Sequence, residues 1–128
     1  MQVRPMMPYR FPRPARLALF ALAAAILMVL CVVPQQDLPD APAGDRVHHL
    51  VAWFVLTLTG YVLAPNRRIA IPAFALAYGV LIEVVQRLTP TGRHGEWQDF
   101  VADALGVALA VLVFPLVRRL SARVIDAV

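Results

Sequence analysis

Leu17-Ala18-Leu19-Phe20-Ala21-Leu22-Ala23-Ala24-Ala25-Ile26-Leu27-Met28-Val29-Leu30-Cys31-Val32-Val33 is an unbroken apolar run. A helix over these 17 residues is about 26 Å long at 1.5 Å per residue, close to a hydrocarbon core of about 30 Å. Three further runs repeat that length. Residues 47–64 are broken only by His48, His49, Thr57, Thr59 and Gly60; residues 69–85 contain Pro72, Gly79 and Glu83; residues 100–117 contain Asp103 and Pro115. Backbone groups in lipid must pair within their own segment, which excludes isolated strands. The pattern therefore predicts an all-α, integral membrane four-helix bundle over residues 17–117. A Pro- and Arg-rich tail (1–16) and a basic tail (118–128) flank it.

Composition agrees. Of 128 residues, 60% are hydrophobic, whereas soluble domains sit at roughly 45–50%. The length fits one domain. Net charge is +4, and all 12 cationic residues are arginine. The arginines gather at the edges of apolar runs and form no stripe with aromatics, so nucleic acid is not expected as a partner. The single cysteine, Cys31, permits no intrachain disulfide and reads as a buried structural thiol.

The arginines also predict orientation. Arg4, Arg10, Arg13 and Arg16 precede the first span, Arg67 and Arg68 separate the second from the third, and Arg118, Arg119 and Arg123 follow the fourth. The other two loops balance Arg46 with Asp37, Asp40 and Asp45, and Arg87 and Arg93 with Glu96 and Asp99. This alternation predicts both termini in the cytoplasm of a multi-pass protein of the bacterial inner membrane. A rival reading takes the first run as a signal peptide with an Ala41-Pro42-Ala43 cleavage site. It leaves the other three spans in the same orientation.

Ionisable groups are rare in such a chain, yet they recur at one end of three spans. Asp45 and His49 are four residues apart and share a helix face with Trp53. Glu83 and Gln86 are three apart; Asp99, Asp103 and Gly106 follow at four and three. An acid facing lipid at mid-span costs roughly 2.5–3.5 kcal/mol on insertion scales, so partners inside the bundle are expected. Plainer roles stand beside this one. Asp45 and Asp99 suit helix N-termini. Glu83 and Gln86 suit interhelical hydrogen bonds, and Gly106 with Ala110 suits close helix packing.

Taken together, Asp45-Arg46-x-x-His49, Glu83-x-x-Gln86, and Arg93 followed by Asp99, Asp103 and Gly106 resemble the VanZ-like family of small bacterial membrane proteins. The likeness runs from about Asp45 to Val113, with Arg46 in place of a Lys and Asp103 in place of an Asn. Resemblance to this family, whose founding member is linked to resistance to the lipoglycopeptide teicoplanin, adds such a molecule to the ligand classes considered.

Three functions are expected to compete. The first is binding of an anionic or polar group at the outer face, such as a lipid headgroup, a cell-envelope precursor or a lipoglycopeptide. Arg46, Arg87 and Arg93 would hold the anion, while Glu83, Gln86, Asp99 and Asp103 would fix those arginines and accept from the ligand. The second is a membrane-embedded enzyme, with Asp45 orienting His49 as base and Glu83 as acid. No recognised catalytic spacing supports it. No cofactor is expected; its metal variant would use His49, Glu83 and Asp99 or Asp103. The third is a structural helper of larger membrane proteins.

Overall fold

The computed structural model describes residues 10–32, 45–89 and 97–127, with only the backbone for Asp45 and residues 121–127. Outside these lie residues 1–9, residues 33–44 with Asp37, Asp40 and Ala41-Pro42-Ala43, residues 90–96 with Arg93 and Glu96, and residue 128. Among the described residues four helices form: α1 Arg13–Val32, α2 Asp45–Leu63, α3 Ala70–Leu88 and α4 Trp97–Ala127. Each is long and apolar enough to cross a membrane. No strand occurs among the described residues.

Two prolines sit where helices tolerate them. Pro14 lies in the first turn of α1 and Pro72 in the first turn of α3, where the missing N–H has no intrahelical acceptor. Pro115 lies inside α4 and leaves one carbonyl of the preceding turn without its usual donor. Thr89 closes α3 by donating both its backbone N–H (3.0 Å) and its hydroxyl (2.7 Å) to the Val85 carbonyl.

Two helices outrun their apolar stretches. The span expected to end at Val85 continues through Gln86, Arg87 and Leu88, all good helix formers. The expected C-terminal tail likewise continues α4 to Ala127, giving 31 residues or about 46 Å. Apolarity marks where lipid ends, and the backbone keeps its helix beyond that point.

α2 is the most enclosed helix, with 39% of its span buried against 11% for α1. Trp53, Leu56, Ala75, Ile82 and Val107 form the core, joined from α1 by Ala24 and Cys31. The contact between α2 and α4 is a backbone contact. A Cβ on Gly106 would lie 2.2 Å from the Leu50 carbonyl oxygen and 2.9 Å from the Phe54 nitrogen. Ala110, one turn along, is fully buried. Small residues thus let two helices meet without a layer of side chains between them. The outer faces carry exposed Leu17, Leu22, Ile26 and Val29 on α1, and Leu105, Leu109, Leu112 and Leu116 on α4. Lipid makes such faces stable, where water would not.

The bundle has two unlike ends. At one, α1 begins, α2 gives way to α3, and α4 passes Phe114. Arg16 donates to the carbonyls of Phe11 and Leu63, both at 3.0 Å. Tyr61 donates to the Arg68 carbonyl at 2.9 Å and stacks on Phe114 at 4.8 Å. This end carries Arg10, Arg13, Arg67, Arg68, Arg118 and Arg119. The acids and His49 gather at the other.

Candidate functional site

The opposite end is where α1 and α3 finish and α2 and α4 begin. His49 lies one turn into α2 and Asp103 nearly two turns into α4, so both project from helix starts. Their side chains meet across the Gly106 contact. His49 Nδ1 is 2.8 Å from Asp103 Oδ1, with the two residues 3% and 0% exposed. With Asp103 ionised, Nδ1–H donates and the carboxylate accepts. That bond fixes the imidazole's orientation and tautomer. Sequence spacing offers Asp45 as a partner of His49; the structure shows Asp103, from a different helix, in contact with it, and the Asp45 side chain lies outside the described set.

Below His49 an aromatic series crosses the bundle. His49 stacks on Trp53 at 5.6 Å, Trp53 contacts Tyr78, and Tyr78 stacks on Phe74 at 5.5 Å. Trp53 Nε1 donates to the Ala75 carbonyl at 2.8 Å, and the Tyr78 hydroxyl donates to the Ala24 carbonyl. These bonds satisfy polar groups that lipid could not, and they floor the site with rigid rings.

α3 closes the third side. Gly79, Glu83 and Gln86 share a face, and all three are buried. A Cβ on Gly79 would lie 3.0 Å from Asp103 Oδ2 and 3.4 Å from Trp53 Nε1, so the glycine makes the notch that Asp103 fills. Gln86 Nε2 donates to the Cys31 carbonyl at 2.9 Å. A carbonyl can only accept, so this bond fixes which end of the amide faces α1. Gln86 Oε1 and both oxygens of Glu83 have no hydrogen-bond partner among the described residues. Glu83 lies within Coulombic range of Asp99, His49, Asp103 and Arg87.

The structure thus brings together His49, Glu83, Gln86, Asp99 and Asp103. Arg46 and Arg87 are exposed at the rim. Asp45 opens α2, but its side chain is outside the described set, as is Arg93. Glu83 sits five residues from the end of α3 and Asp103 six from the start of α4, about 7–9 Å along the helix axes. Gly79 and the Trp53 floor were not read as site residues. Their signal was present: Gly79 stands four before Glu83, and Trp53 four after His49. Among the described residues, no group of three or more His, Cys, Asp or Glu side chains is arranged to hold a metal ion.

The model of the VanZ/LLP1 family matches residues 17–118, and the chain belongs to that family. No curated protein and no solved structure matches it. The match takes in all four spans and every buried site residue.

Proposed function

We propose that this VanZ/LLP1-family multi-pass membrane protein binds a polar or anionic group in the pocket between α1, α2, α3 and α4. The observation carrying this reading is the buried convergence of Glu83 and Gln86 on the His49–Asp103 pair, with acceptor oxygens that have no protein partner among the described residues. Evolved bundles satisfy buried acceptors, because each one left alone costs about 1–3 kcal/mol. A site that must accept from a ligand is the exception.

The pocket faces outward from the bacterial cytoplasmic membrane. This orientation is supported by the arginines at the opposite end, which the positive-inside rule assigns to the cytoplasm along with both termini. Arg46, Arg87 and Arg93 hold the anion at the mouth, since guanidinium forks match phosphate and carboxylate. Lipid headgroups, cell-envelope precursors and lipoglycopeptides all offer such groups. Gly106 and Ala110 serve helix packing. The test is retention of anionic lipid and of teicoplanin by the purified chain against Arg93→Ala. At least one ligand should bind about tenfold more weakly to the variant, the effect of losing one charge-assisted hydrogen bond. Equal binding of both ligands would overturn the assignment of Arg93.

One observation favours a second reading, an acid–base enzyme. A buried carboxylate holding an imidazole by Nδ1 is how general bases are oriented. In that case Asp103 orients His49 and Glu83 supplies the acid. Hydrolysis or transfer on a bound headgroup by wild type, abolished in His49→Gln, would select this reading over simple binding.

A further inference from the structure

The buried part of the pocket has the wrong charge for an anion. Glu83, Asp99 and Asp103 are 8%, 6% and 0% exposed, and His49 is the one buried basic group beside them among the described residues. The guanidinium-bearing residues Arg46 and Arg87 are exposed at the mouth. An anion drawn fully inside would face three carboxyl groups across a medium of low dielectric, where like charges repel strongly. An anion held at the mouth would face arginine. The polarity of the site is therefore ordered by depth, with acceptors inside and cations outside.

The oxygens without a partner among the described residues say what belongs inside. Glu83 offers Oε1 and Oε2, and Gln86 offers Oε1. Both residues are more than nine-tenths buried and stand three apart on one face of α3. The Cys31 carbonyl holds the Gln86 amide nitrogen, so the amide cannot turn to present a donor without breaking that bond. The result is three acceptor oxygens with no donor among the described residues. A primary ammonium carries three N–H donors and a positive charge. A hydroxyl brings one donor and no charge. A quaternary ammonium has no donor at all and needs an open aromatic cage, whereas here Trp53 is fully buried and its N–H is spent on Ala75.

Resting on the binding reading above, we propose that the ligand is a headgroup carrying a primary ammonium beside an anion. The ammonium enters first and is held by Glu83 and Gln86; the anion stays at the arginines of the mouth. A membrane lipid with an aminoalkyl phosphate headgroup and a free aminoalkyl phosphate share this chemistry.

The experiment titrates the full chain, purified in detergent micelles, with phosphatidylethanolamine, phosphatidylcholine and phosphatidylglycerol, reading bound lipid by native mass spectrometry. Phosphatidylethanolamine should bind about tenfold or more tightly than either of the others, the worth of one charged hydrogen-bonding group. In Glu83→Gln that preference should disappear. Free phosphoethanolamine distinguishes the sources: competition at concentrations equal to the lipid's assigns a soluble ligand, and competition only at large excess assigns the lipid. Phosphatidylcholine binding as tightly as phosphatidylethanolamine to wild type overturns the proposal without recourse to any variant. Phosphatidylglycerol binding tightest, yet weakened by Arg87→Ala, overturns the ammonium while the binding reading stands. Lipid binding that is unselective and indifferent to both substitutions removes both.

Discussion

The two ends of this bundle solve the same problem in opposite ways. At the basic end, polar side chains reach backbone carbonyls that helix geometry leaves open. Arg16 takes Leu63 at the end of α2, and Tyr61 takes Arg68 in the turn beyond it. These bonds need no ligand, and they place positive charge at a helix C-terminus, where the dipole favours it. At the acid end, Glu83 and Gln86 bring oxygens into the interior that no described protein group answers. The first end is built for stability. The second gives up stability, and such sacrifices mark functional sites. Substitutions that touch no helix contact should therefore sort by end: stability should fall without binding at one, and binding without stability at the other.

The largest effect should come where the acid end depends on scaffold. Gly106→Ala sets a methyl 2.2 Å from the Leu50 carbonyl oxygen. A backbone atom cannot rotate aside, so α2 and α4 must part. Overpacking of this kind costs about 3 kcal/mol or more. The thermal midpoint in detergent should drop steeply. Binding should fall with it, because His49 and Asp103 ride on the separated helices. A variant as stable as wild type would show that the two backbones are not in contact, and the pocket would lose its frame.

A smaller effect is expected at the basic end. Arg16→Ala removes the bonds to Phe11 and Leu63 and should cost about 1 kcal/mol. Headgroup binding at the far end should match wild type in the same preparation. If binding weakened in step with stability, the ends would be coupled and the division between them would be too sharp.

These expectations draw on features of unequal legibility. The fold could be read directly, because lipid imposes one rule on every span: a run of apolar residues of fixed length. Which residues share a face of one helix was equally plain from spacing, and so Glu83 and Gln86 were found together. The pairing of His49 with Asp103 was not legible. Helical spacing ranks neighbours within a helix and so offers Asp45, whereas Asp103, the partner the structure shows, lies 54 residues away. Gly106 decides that pairing by letting α4 approach α2, and a glycine in a sequence states that something comes close without stating what.

The smallest change in stability should be the most informative. Glu83→Met removes a buried carboxyl group whose oxygens have no described partner and fills its volume with a flexible apolar chain. Replacing a buried polar group that is already short of partners by an apolar one of similar size is neutral or favourable. The thermal midpoint should hold or rise, by under about 1 kcal/mol equivalent, while headgroup binding is lost. Gln86 tests the same logic in reverse, since its amide nitrogen ties α3 to the Cys31 carbonyl of α1, and its loss should cost stability as well. If Glu83→Met instead destabilised the bundle by as much as Arg16→Ala, Glu83 would be a strut with a protein partner. The contrast between a satisfied end and an unsatisfied one would then reduce to two satisfied ends of different charge.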